Sequence, residues 1–212
     1  MKIAGTFILL IASLVSFSQD REFPDYRSKK ENFSRIQEKD IRSDVACFAI
    51  GGMDESIGKG KLVSVPATKY GSDFITFSGN NLQVTITAGT FDESAHKYTY
   101  YNKVHLVKID AKPFYGSYDE KPETTIQSVV VLLNKDTIPI PQAAYADLYN
   151  PEFTYTDKSG VVKSYNNVYL SADKKTVYIY MLKRSPKSNY EVTWVIQDKK
   201  YLRRVVDFGF FK

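Results

Sequence analysis

Two histidines, one cysteine and a scatter of carboxylates are the residues of this chain best suited to chemistry. His96 sits in "DESAHKY" and His105 in "KVHLVKI", nine residues apart. Two metal ligands on one helix turn or one strand face stand closer than that, and no cysteine pair accompanies them. The spacing therefore predicts surface or strand-edge histidines rather than zinc ligands. A Ser-His-Asp site can assemble from distant residues, yet no G-x-S-x-G elbow singles out a serine. Cys47, the only cysteine, lies in the apolar run "VACFAIGG" and is expected to pack as a small hydrophobe. "GGMDESIGKGK", Gly51 to Lys61, leaves five residues between Gly52 and Gly58. A phosphate loop needs four there and a helix after it, so this stretch reads as a connection. Asp110, Asp119, Glu120 and Glu123 gather in "DAKPFYGSYDEKPE", but Lys112 and Lys121 interrupt them and the calcium-loop pattern is missing. A solvated loop is expected. No catalytic residue, metal ligand or cofactor is assigned.

Aromatic residues are the real excess, with 16 Tyr, 13 Phe and one Trp. Most alternate as a pleated sheet demands, because tyrosine is a favoured strand residue. Three groups fall outside that pattern: Tyr98, Tyr100 and Tyr101; Phe114, Tyr115 and Tyr118; and Tyr145 with Tyr149. Flat amphipathic rings on loops suit sugar faces and protein partners. Tyr115, Tyr118, Tyr145 and Tyr149 are the ligand-binding candidates.

The chain must first reach its ligand. Lys2 followed by "IAGTFILLIASLV" and then "SFSQD" has the anatomy of a cleaved signal peptide over residues 1–19. The apolar run is shorter than the roughly 20 residues that span a bilayer, and no later stretch is long enough. No cysteine near the cleavage site could carry a lipid, so a lipoprotein is not expected. Export of a chain with one cysteine and no disulfide fits a bacterial periplasmic or extracellular protein. The net charge of +5 comes from interleaved bases and acids, which does not point to nucleic acid.

The elements that would position these groups are mostly strands. Residues 20–44 form a polar arm or helix, with capping-box spacing in "SKKE" and a thin stripe of Phe33, Ile36 and Ile41. Residues 45–212 read as a single β-rich domain. In "LQVTITA", Leu82, Val84 and Ile86 face one way and Gln83, Thr85 and Thr87 the other. "KYTYYNKVHLVKID" reads as a long strand or a bulged pair. "IQSVVVLLNKDTIPI" reads as a hairpin turning at Asn134, Lys135 and Asp136. Beyond Asn167, four strand-like runs are joined by "ADKK", "SPKSN" and "QDKK", which predicts a four-stranded meander. Apolar residues on both faces of these runs place them in the middle of a packed structure. The fold class is mainly β, an antiparallel β-sandwich with one or two short helices; a barrel is the alternative.

"IPIPQAAYADLYNP" interrupts this vocabulary. Pro139 and Pro141 remove ladder donors, so the strand before them must be an edge or must end. "QAAYADLY" then has the spacing of a short helix that pairs Tyr145 with Tyr149 and plugs one end of the sandwich. Together these readings predict a secreted, non-enzymatic β-sandwich module that binds a glycan, a peptide or an envelope protein. An inhibitor or immunity-type protein acting through the loop "KPFYGSYDEKP" is the alternative. A glycoside hydrolase with two carboxylates facing one groove is the third.

Overall fold

The computed structural model describes residues 36–47, 61–185 and 188–208. One antiparallel sheet has the order β1 (Val63–Val65), β11 (Asn167–Leu170), β12 (Thr176–Ser185), β13 (Ser188–Gln197), β14 (Lys200–Phe208). The other has the order β2 (Ala67–Tyr70), β3 (Phe74–Gly79), β4 (Leu82–Thr90), β7 (Thr124–Leu133), β8 (Asp136–Ile138). Two small hairpins, β5 (Tyr98–Tyr101) with β6 (His105–Ile109) and β9 (Tyr155–Thr156) with β10 (Val162–Lys163), stand outside both. This is the expected antiparallel β-sandwich, with no closed barrel, and β11 to β14 form its C-terminal meander.

Alternation decides which side chains meet between the sheets. Leu82, Val84, Ile86 and Ala88 of β4 are buried while Gln83 is exposed. They pack with Val177, Ile179 and Met181 of β12 and with Val192, Trp194 and Ile196 of β13. β12 and β13 are buried on both faces, because something also covers the outside of their sheet. That cover includes α1 (Lys39–Val45), whose Ile41 and Val45 join Ile36 against Tyr178, Tyr180, Leu182 and Val195. A seven-residue helix is too short to hold itself together in water. Its burial, the Tyr178 hydroxyl donating to Asp44 at 2.6 Å, and the Arg203–Glu38 ion pair at 2.6 Å hold it. The helix crosses the expected boundary at residue 44 and follows Glu38, with no side-chain cap. "SKKE", Phe33 and the leader lie outside the described residues, as does almost all of the glycine-rich stretch.

The turns carry the asparagines and aspartates expected of them. Asn80 with Asn81, Asn134 with Lys135, and Asp198 with Lys199 all have positive φ, the conformation of tight hairpin turns. Asp136 is already in β8, paired with Leu133.

β8 is a sheet edge that ends at Ile138, one residue before Pro139. One 3-10 turn, Gln142–Ala144, then seals the end of the sandwich. Ala144 and Leu148 enter the main core. The Ala144 carbonyl accepts from Trp194 Nε1 at 2.7 Å and from Arg204 Nη1 at 3.2 Å. Arg204 also grips Asp147 with two bonds, at 2.6 and 2.8 Å. Asn150 finishes the plug by accepting the amides of Glu123 and Thr124, both at 2.9 Å.

Candidate functional site

The four candidate tyrosines do not share one exposed surface. Tyr115 is 1 % exposed, ringed by Tyr190 and Phe208. Tyr149 is 7 % exposed and presents its ring to the edges and faces of Phe91 and Phe114. The two are joined through the backbone, Tyr149 N donating to Tyr115 O at 2.9 Å. Tyr118 is half-buried beside the same Phe114 and against Phe208. Tyr145 is half-buried against the main core. Tyr145 and Tyr149 part company because the helical turn lasts only to Ala144, and Tyr145 leaves it at φ −147°. The i, i+4 pairing expected of them needs a continuous α-helix. In the loop "KPFYGSYDEKP", Phe114, Tyr115, Gly116 and Ser117 are buried, while Lys112, Asp119, Glu120 and Lys121 are exposed.

Burial pushes the Tyr149 phenol up to about 12, with Asp147 contributing next. In the unfolded chain a tyrosine ionises near pH 10. The stabilising contribution of the neutral phenol is therefore complete below about pH 10 and is lost as pH rises to about 12. Tyr149→Phe should flatten that part of the alkaline fall in urea midpoint. An unchanged alkaline profile in this variant would remove Tyr149 from the account.

The remaining aromatic group is divided: Tyr98 packs against the small third core, while Tyr100 and Tyr101 are exposed. Tyr100 is 41 % and Tyr101 63 % exposed, and Val104 is 62 % exposed beside them. All three belong to the β5–β6 hairpin, which turns through Asn102 and Lys103 at positive φ. Its register shifts between Thr99 and Tyr100, so the stretch is the bulged pair anticipated in its sequence. Leu106 and Ile109 point inward and form a small third core with Phe91, Phe114 and Tyr149. Opposite them, Tyr101 faces His105 across the ladder and Thr99 faces Lys108. By the pleat these four side chains share the outer face.

Both histidines brace this hairpin. His96 Nδ1 lies 2.6 Å from Asp110 Oδ2, and its ring stacks on Phe91 with centroids 4.4 Å apart. The Lys97 amide holds the other Asp110 oxygen at 2.9 Å, and these two bonds lower the Asp110 carboxyl below its ordinary range. His105 Nδ1 lies 3.1 Å from Asp119. The partners sit 14 positions apart in both pairs. That repeated spacing is the only trace of them in the sequence. On the inner flank, Tyr98 donates to Glu93 O at 3.1 Å and lies under the Lys121 ammonium, itself paired with Glu93 at 2.8 Å.

A carboxylate on Nδ1 fixes an imidazole's tautomer and orientation, as it does in hydrolytic triads and metal sites. Here the dyads stop there. Among the described residues no serine or cysteine side chain bonds either imidazole, and no three His, Cys, Asp or Glu converge. Asp110 and Asp119, which share one loop in the sequence, are engaged separately by the two histidines. The hairpin exposes the Tyr101 phenol, the His105 imidazole and Lys108 on one face. Exposed groups of these kinds can stack on flat ligands and donate hydrogen bonds to their oxygens.

No family model, no curated protein and no solved structure matches the chain. No helix among the described residues is long and apolar enough to cross a membrane.

Proposed function

We propose that this protein is an exported bacterial binding module without enzymatic activity, and that the β5–β6 hairpin is its recognition surface. The observation that carries the reading is the pairing of a 63 % exposed Tyr101 with a 62 % exposed Val104 on a braced hairpin. Three other groups on that outer face, Thr99, His105 and Lys108, supply hydrogen-bonding partners. The ligand class is a glycan, a peptide segment or an envelope protein with an exposed polar and aromatic surface. The export reading rests on Lys2 and the apolar run Ile3 to Val15.

A glycan array and a peptide display library, screened with the mature chain, test this. The affinity of any hit is then compared with that of a Tyr101→Ser/Val104→Ser variant. Loss of the two exposed anchors should weaken binding by at least about tenfold, the scale of a modest hot spot. The thermal midpoint should stay near that of the parent, because neither side chain belongs to a core cluster. Full affinity in the variant, with a hit mapped to another face, would move the site elsewhere.

A further inference from the structure

A second aromatic feature lies away from the recognition hairpin. Tyr155 and Tyr165 stack face to face, with ring centroids 4.1 Å apart and planes 10° from parallel. The β9–β10 hairpin brings them near: Tyr155 faces Lys163 across the ladder, and Tyr165 stands two residues beyond Lys163, in the bend that follows β10. Arg184 donates from Nη1 to the Tyr165 oxygen at 3.1 Å and lies over that ring. Both tyrosines are half-buried, so small molecules reach them. Tyr165 packs against the cluster on the outer face of the C-terminal sheet, whereas Tyr155 joins none of the three core clusters of described residues.

We propose that Tyr155 and Tyr165 form an oxidative cross-linking site, at which a peroxidase-type one-electron oxidant driven by hydrogen peroxide joins them as an intramolecular dityrosine. Each phenol gives up one electron and one proton. The unpaired spin of a phenoxyl radical occupies π orbitals perpendicular to the ring and is large at the carbons beside the oxygen. A carbon–carbon bond between two such carbons starts through the ring faces, and this stack holds the two faces in contact. The hydrogens on the joined carbons then shift to the oxygens and restore both phenols. The net change is loss of two hydrogen atoms from the protein, and hydrogen peroxide takes them up to become two waters.

The stack also gives selectivity. Among the described residues, the buried Tyr115 and Tyr190 stand 6.1 Å apart and tilted by 51°, and Tyr98 and Tyr100 stand 6.4 Å apart and tilted by 42°. The exposed Tyr70 and Tyr101 meet the rings of other molecules by diffusion. Reactants held in contact have a large advantage over diffusing ones at low protein concentration.

The test treats the folded mature chain with a peroxidase and one equivalent of hydrogen peroxide, followed by trypsin. Lys158 and Lys163 lie between the two tyrosines, so trypsin leaves them on separate peptides unless a bond joins them. The expected product is a monomer with dityrosine fluorescence and a joined peptide pair, lighter by two hydrogens than the sum of its parts. Tyr155→Phe and Tyr165→Phe should each cut the intramolecular product by at least about fivefold, whereas Tyr100→Phe should leave it intact. Oxidation of the urea-unfolded chain should abolish the preference. Dityrosine found only in dimers, or undiminished in Tyr155→Phe, overturns the proposal.

Discussion

Replacing Asp147 with alanine should remove about 3–5 kcal/mol of folding stability, one of the largest effects available to a single carboxylate in this chain. Its partner Arg204 has a side chain only 3 % exposed, and the two form a bidentate pair at 2.6 and 2.8 Å. The guanidinium would stay buried, keeping its bond to the Ala144 carbonyl and the Tyr115 ring 6.0 Å away but losing its bidentate carboxylate. A buried cation stripped of its carboxylate costs far more than the net worth of the pair it has lost. The distinguishing control is Asp147→Leu/Arg204→Met, which removes both charges and should recover most of the loss. Urea denaturation measures both. A loss below about 1 kcal/mol in Asp147→Ala would mean that water reaches Arg204 freely.

Trp194→Ala should be comparably severe, at about 3–5 kcal/mol, the range for deleting a buried aromatic. Trp194 is 0 % exposed, sits in the main core and donates to Ala144 O at 2.7 Å. Trp194→Phe separates the two contributions, because it keeps much of the ring while dropping the hydrogen bond. Arg204 remains on that carbonyl, so the bond alone should be worth about 1 kcal/mol. Trp194 and Asp147 act on one plug, and their effects should fail to add by about 0.5 kcal/mol or more. Simple additivity in the double variant would show the plug to be two independent contacts. Since Trp194 is the only tryptophan, its fluorescence also reports undocking of the plug in Asp147→Ala.

Much of this architecture was legible because local chemistry dictates it. The alternation in "LQVTITA" became the half-buried β4, and "NN", "NK" and "DK" became turns at positive φ. The doubly apolar runs around Val177 and Val192 became the two strands buried on both faces. Pro139 did end a strand, and "QAAYADLY" did plug the sandwich. The pairing of β1 with β11 was not legible, since Val63 meets Leu170 across more than half the chain and no neighbour signals it. The roles of the tyrosines were not legible either. A tyrosine in a loop reads as accessible, yet Tyr115 and Tyr149 are covered by elements distant in sequence, including Tyr190 and Phe208. The hairpin's rings escaped the candidate set because a bulged pair hides which residues face out until its register is known.

The hairpin that carries Tyr101 belongs to neither large sheet, and a small cluster, the Leu106–Tyr118 backbone bond and the His105–Asp119 pair tie it to the body. On the function proposed above, stability and recognition are written in different residues. Thr99, Tyr101, Lys103, Val104 and Lys108 would then be free to drift, or to be randomised in a library, while Leu106, Ile109 and the two His–Asp braces keep the frame. A chain so built would change its target faster than its fold, and the same frame would accept a grafted tip of foreign specificity.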